Sequence, residues 1–171
     1  MRARPCALLT SERFDSLAVF AKNWRNKKMT IDQLSVFVEN KPGALVGIVE
    51  ALGGEDIDLR ALSIADTADF GILRLIVDKP TKAYNMLRDA GFIVKTSKVI
   101  PVSVDDKPGG LGTVLRVLAD NGIDVEYLYA FVAHKTNKAY VIIRVEDNEK
   151  AMSILSDNGM GLISVEEMYG A

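Results

Sequence analysis

Two short stretches of this sequence combine side chains and backbone freedom suited to holding a small charged molecule. They are Glu39-Asn40-Lys41-Pro42-Gly43-Ala44-Leu45 and Asp105-Asp106-Lys107-Pro108-Gly109-Gly110-Leu111. Each leads into a segment with helical apolar spacing. A helix start presents unpaired backbone N–H groups and the positive end of a dipole, and both suit a carboxylate. Gly43 and Gly109-Gly110 let a ligand approach the backbone closely, while Pro42 and Pro108 fix the turn. Asn40, Asp105 and Asp106 offer oxygens that can accept from an α-ammonium group. An α-amino acid carries both charged groups on one carbon, so it is a chemically apt occupant. The same residue types also serve a plain strand-to-helix turn, so both a binding and a purely structural role stand open.

Other reactive constellations are sparse. Cys6 is the single cysteine and His134 the single histidine, too few for a zinc site or an internal disulfide. Asp66 and Asp69 are expected as turn formers rather than cation ligands, and His134 as a solvated side chain on a hairpin. No nucleophile–base pair is visible, so neither an enzyme nor a bound metal or cofactor is expected. The formal charge of −2 over 171 residues argues against a nucleic-acid binder with a basic face. No apolar run approaches the roughly 18 residues needed to cross a bilayer, and a cytoplasmic location is expected. Residues 1–28 are distinct, with seven basic residues against Glu12 and Asp15. Met29 is the expected initiator. The alternatives are a docked amphipathic helix with Phe14, Leu17, Ala21 and Trp24 on one face, or a targeting or surface-binding segment.

The elements that position the two loops follow from an internal repeat. The first loop recurs at an offset of 66, which also carries Leu52 to Leu118 and Ile57-Asp58 to Ile123-Asp124. Beyond residue 69 the offset is 68, taking Val77-Asp78 to Val145-Glu146 and Gly91 to Gly159. The second copy has therefore gained two residues in a hairpin loop, where insertion is tolerated. Each copy reads strand, helix, strand, strand, helix, strand. Leu34, Val36 and Val38 alternate in the first strand. Leu45, Ile48, Val49 and Leu52 mark one helix face, which Gly53-Gly54 is expected to end. Asp78 is expected to cap a second helix with Pro80 in its first turn and Ala83, Met86, Leu87 and Ala90 on its buried side. Strands at Ile93–Lys98 and at Ile100–Val104 then close one copy and open the next. The βαββαβ order predicts an α+β fold of two ferredoxin-like repeats, each an antiparallel sheet with helices on one face. The boundaries are 1–28 for the extension, 29–98 for the first repeat and 99–171 for the second.

The sheet face away from the helices is also apolar, through Ile72, Arg74 and Ile76 in one copy and Tyr140, Ile142 and Arg144 in the other. Such a face predicts sheet-to-sheet packing, within the chain or across a homodimer. The two arginines are either anion ligands or edge salt-bridge and snorkelling residues. Tyr127, Tyr129 and Phe131 form a stripe, expected to pack between sheets or to wall a pocket.

The element order, the Lys-Pro-Gly-Ala-Leu and Lys-Pro-Gly-Gly-Leu loops, and the Ile57-Asp58 and Asn121-Gly122-Ile123-Asp124 segments resemble the ACT domain, in tandem over about 29–171. The segment from Ala61 to Arg74 is similar to that of stand-alone bacterial tandem-ACT proteins. The resemblance implies amino-acid-binding regulatory modules, paired side by side so that two four-stranded sheets make one of eight strands, with effector at the interface of paired domains. Carried over by position, the binding residues are Asn40, Lys41, Pro42, Gly43, Ala44 and Leu45, with Asp106, Lys107, Pro108, Gly109, Gly110 and Leu111. Asn121, Gly122 and Ile123, with Glu55, Asp56 and Ile57, form a weaker element. The first copy lacks Asn-Gly before its Ile57, which sets the two sites apart; with one competent site alone, a pocket combining both Pro-Gly loops is favoured. The implied partners are an amino acid, branched-chain or aromatic by preference, a second copy of the chain, and an enzyme or regulator acted on in trans. The competing functions are a ligand-free interaction module and, further off, an acyl-phosphate hydrolase. The latter would want an arginine in its anion-binding loop, and neither Pro-Gly loop has one.

Overall fold

A computed structural model describes residues 29–66, 70–132 and 137–169. The expected extension helix, the Asp69 turn and His134 lie outside the described residues. Alternating apolar side chains make strands of Ile31–Glu39 (β1), Leu59–Asp66 (β2) and Phe70–Val77 (β3), with helices at Ala44–Gly54 (α1) and Pro80–Asp89 (α2). The second repeat supplies α3 (Gly110–Asp120), β5 (Val125–Val132), β6 (Lys138–Val145), α4 (Asn148–Asp157), the short β7 (Gly161–Leu162) and α5 (Val165–Tyr169). The hairpin insertion is seen as residues 67–69 between β2 and β3 against 133–137 between β5 and β6.

The two repeats share a strand. In place of separate strands either side of residue 98, Val94–Asp105 (β4) runs unbroken for 12 residues. Its first half pairs with β1, from Val94 opposite Val36 to Val99 opposite Ile31. Its second half pairs with β6, from Ile100 opposite Ile143 to Asp105 opposite Lys138. The hydrogen-bonded path is β2-β3-β1-β4-β6-β5, with β7 on β4, a seven-stranded sheet rather than eight. The continuity has a sequence cause. Val99, Ile100, Pro101, Val102 and Val104 leave no turn residue between the repeats, and buried β-branched side chains favour extended backbone. Pro101, which has no N–H to give a ladder, falls where β4 changes partner.

The described residues form three apolar cores. On the helix side of repeat one, Leu34, Val36, Ile48, Leu52, Leu73, Leu75 and Leu87 are buried together, and Val102, Val114, Leu118, Ile143 and Leu155 do the same in repeat two. The third core lies between the helix-free faces: Ile31, Ala61, Ile76, Val99, Tyr129, Ile142, Ile163 and Met168. The sheet therefore curls so that the predicted face-to-face packing is met within one chain.

Several local expectations are corrected. In α1, Ile48 and Leu52 face the sheet, but Leu45 and Val49 remain 38% and 37% exposed. In repeat two α3 packs against α4, while the matching approach of α1 to α2 is weak, so that among the described residues no second helix covers the outer row in repeat one. α1 ends at Gly54, as expected, but neither Gly53 nor Gly54 makes the left-handed turn. Backbone reversal comes at Asp56 (φ 55), equivalent to Gly122 (φ 67). Both ends form the same paired bonds, Ile57 N–H to the Leu52 carbonyl and Ile123 N–H to that of Leu118, which satisfies carbonyls the helix leaves open. Asp56, whose carboxylate is 2.7 Å from Lys79 Nζ, thus gives the first copy the turn that Gly122 gives the second. Asp78 does not cap α2. It accepts from the Asp58 N–H at 2.9 Å, and the cap position is Lys79. The residue equivalent to Lys79, Asp147, does cap α4, accepting from Lys150 N–H at 3.0 Å. Ala90 is exposed, while Ala83 and Leu87 are buried and Met86 packs partly buried against the same core.

Candidate functional site

Both Pro-Gly loops adopt one conformation. Gly43 and Gly109 occupy the left-handed region, with φ of 84° and 85°, immediately before α1 and α3. An L side chain is strained there, and the turns close with Lys41 N–H on the Glu39 carbonyl and Lys107 N–H on that of Asp105, each 2.9 Å. Neither helix has a side-chain cap or an acidic residue in its first turn, in contrast to α4 with Asp147 and Glu149. Ala44 N–H and Gly110 N–H, the first of each helix, donate to the Lys41 and Lys107 carbonyls at 3.3 and 3.0 Å, so the N–H groups left for water or a ligand are the next ones, those of Leu45 and Val46 in α1 and of Leu111 and Gly112 in α3. Gly110 is needed for space: a Cβ would lie 2.1 Å from the Asp105 carbonyl oxygen.

A cleft lies behind each loop. The first, about 620 Å³, is lined by Phe37, Val38, Glu39, Lys41, Gly43, Ala44, Gly47, Phe70, Gly91, Phe92 and Ile93. The second, about 320 Å³, is lined by Ser103, Val104, Asp105, Lys107, Gly110, Thr113, Val114, Lys138, Gly159, Met160 and Gly161. The two linings correspond by the repeat offsets but differ in chemistry. Phe37 is replaced by Ser103, Gly47 by Thr113, Phe92 by Met160 and Ile93 by Gly161. Phe70 opposes Glu39 across the sheet as Lys138 opposes Asp105, so an aromatic ring gives way to an ammonium.

Charge separates the clefts further. At the first, Glu39 and Lys41 form an exposed ion pair, and Lys41 holds the Glu39 carboxyl below its ordinary value. At the second, Asp105 bonds both Lys107, at 2.8 Å, and Lys138. Hydrogen bonds from the two ammonium groups push its carboxyl down to about 2. The oxygens of Asp105 are thus already engaged by cations of the protein itself.

Of the residues expected from sequence, Lys41, Gly43 and Ala44 line the first cleft and Lys107 and Gly110 the second. Asn40, Pro42, Leu45, Asp106, Pro108, Gly109 and Leu111 border the loops but line neither cleft. Asn121, Gly122 and Ile123 line neither. Asn121 donates to the Val117 carbonyl at 2.8 Å, Gly122 makes the left-handed turn, and Ile123 packs on the core of repeat two. The two loops line separate clefts. Phe37, Phe70, Phe92 and Ile93 were missed. Their signal was the offset comparison itself, which sets Phe37 against Ser103 and Ile93 against Gly161. The Tyr127–Phe131 stripe packs between the sheets, where Tyr129 is buried and its hydroxyl donates to Gln33 Oε1 at 3.0 Å. Burial raises the Tyr129 phenol well above its usual range.

Residues 29–170 match the family model described as an ACT domain pair. The chain is similar to protein BT0572 from Bacteroides thetaiotaomicron, with 40% identity, a TM-score of 0.78, and 84% of this chain and 98% of that one covered. It shares its fold with the regulatory subunit of aspartate kinase from Thermus thermophilus (18% identity, TM-score 0.56, 72% and 89% covered). The regulatory subunit from Thermus flavus is similar in the same way (14% identity, TM-score 0.55, 75% and 90% covered). No curated protein matches the sequence.

Proposed function

The chain belongs to the ACT domain family as a domain pair, and from that premise we propose that it is a regulatory protein that binds an amino acid in the cleft of its first repeat. One observation carries this: an apolar, aromatic-walled cleft opens onto a helix start that no side chain caps. The volume is within the range of small-molecule sites, and such sites combine apolar walls with a few polar groups. The α-carboxylate meets the N–H groups at the start of α1 and the Lys41 ammonium. The Glu39 carboxylate takes the α-ammonium, so the zwitterion substitutes for the Glu39–Lys41 pair. Phe37, Phe70, Phe92 and Ile93 favour a branched-chain or aromatic side chain.

The second cleft is the weaker site, because Lys107 and Lys138 already hold Asp105. The protein acts in trans, on an enzyme or regulator, by favouring one quaternary state over another. A second copy covers the exposed Val46, Leu62 and Ile64, which are 55%, 51% and 50% accessible. The protein itself is non-catalytic and works in the cytoplasm. Among the described residues no helix is long and apolar enough to cross a membrane.

A thermal-shift series of the full chain against the twenty amino acids tests this. A selective rise in Tm with an apolar amino acid is expected, and Phe37→Ser, which installs the repeat-two residue, removes it. No shift with any of the twenty, alongside a stable dimer, instead identifies an interaction module.

A further inference from the structure

Between the facing halves of the curled sheet lies a cluster of hydrogen-bond donors that no acceptor among the described residues meets, and we propose that it binds a small oxyanion, a carboxylate or phosphate group. Cross-strand register builds the site. Lys95 opposes Ser35, Ser35 opposes Arg74, and Arg74 opposes Ser63. These four residues form one row across β4, β1, β3 and β2 on the helix-free face. Strands lie about 4.8 Å apart, so the Ser35 hydroxyl sits between two cations and Ser63 flanks Arg74 on the far side.

The Arg74 guanidinium is held in place but not paired. Its Cζ lies 4.1 Å from the centre of the Tyr127 ring, which fixes its plane, and its Nε is buried without a partner. Among the described residues neither the Arg74 side chain nor that of Lys95 has an ion pair or hydrogen bond. The other arginine on this face differs: Arg144 donates to the Lys98 carbonyl at 3.1 Å and lies 3.4 Å from Glu126.

Gln33 sets the direction of the remaining bonds. Its Oε1 accepts from Tyr129, while its Nε2 donates to the Tyr127 hydroxyl at 2.8 Å and to Ser35 Oγ at 3.2 Å. The protons of the Tyr127 and Ser35 hydroxyls are thus left to donate elsewhere. The carboxylates of this layer are engaged, Glu126 with Arg144 and Glu167 with the Tyr140 hydroxyl. A half-buried guanidinium without a counter-charge carries an uncompensated desolvation cost. An oxyanion that presents two oxygens side by side, as carboxylate and phosphate groups both do, offsets that cost through the two-pronged bonding that the guanidinium fork favours.

None of the four residues lines either Pro-Gly cleft, so the test stands apart from the amino-acid reading. Thermal denaturation of the full chain is compared in sodium phosphate, sodium acetate and sodium chloride at matched ionic strength. A saturable rise in Tm with phosphate or acetate over chloride is expected. Which anion acts tells a phosphoryl-bearing ligand from a carboxylate. Lys95→Gln, a change at an exposed position, weakens the apparent affinity severalfold, and Arg74→Gln weakens it roughly tenfold or more. Identical curves in the three salts overturn the proposal. So does a phosphate response that both variants retain, since phosphate also stabilises proteins by exclusion from their surface.

Discussion

At single residues, the two loops show why a motif repeated in sequence does not repeat its energetics. Gly109 and Gly110 are adjacent glycines kept for different reasons, one for its positive φ and the other for the carbonyl a Cβ would strike. Gly110→Ala should therefore lower stability by about 1–3 kcal/mol, the range for overpacking. Gly112→Ala, inside α3 with open space around its Cβ, should be neutral or stabilising by up to about 1 kcal/mol. Urea denaturation of the two variants checks both signs.

Asp105 gives a second prediction. Its carboxyl sits at about 2 in the fold against an ordinary 3.8, so the unfolded chain takes up the proton first as pH falls. Its contribution is complete above about pH 4 and is lost on going down through about pH 2. Asp105→Asn should flatten the fall in unfolding midpoint between those values, and an unchanged slope would show that the two lysines do not hold the carboxylate. The loops themselves were legible in the sequence because glycine, proline and a carboxylate at fixed spacing define a turn. The aromatic wall was not, because Phe37 of β1, Phe70 of β3 and Phe92 in the turn between α2 and β4 meet only when the strands pair.

At the scale of elements, most of the βαββαβ order was legible, since apolar period and turn residues agree along each repeat. The exceptions share a cause: one residue's role was decided by a tertiary neighbour. Asp78 has the right chemistry for a cap and the right place in the chain, yet the Asp58 N–H arriving from β2's lead-in claims it. In repeat two the cap position itself holds Asp147, so Asp147→Ala should cost about 1 kcal/mol (range about 0.5–2). Hydrogen exchange should rise first at Asn148–Ala151 in that variant, and uniform exchange along α4 would argue against a local cap. The merging of two expected strands into β4 has a similar origin. Periodicity reports that Ile93–Lys98 and Ile100–Val104 are each extended, but it cannot report that no turn separates them.

For the molecule as a whole, β4 and the inter-sheet core decide whether two repeats behave as two domains or one. A unit of about 66 residues buries limited apolar surface and is marginal alone. Here the two helix-side cores draw on the same strand, β4, and a third core, centred on Ile76, Tyr129 and Ile142, exists only when both are folded. Calorimetry should therefore show a single transition for residues 29–169. Ile142 belongs to repeat two but packs in the shared layer, where it is fully buried. Ile142→Ala should cost about 2–5 kcal/mol and should lower the whole transition, repeat one included. Helical signals from the two repeats melting at different temperatures in this variant would show that they are coupled only by the chain. A single lowered transition also bears on regulation. A ligand held in one cleft would then stabilise both repeats and every surface they present, which gives an effector a physical route to a partner bound on the far side.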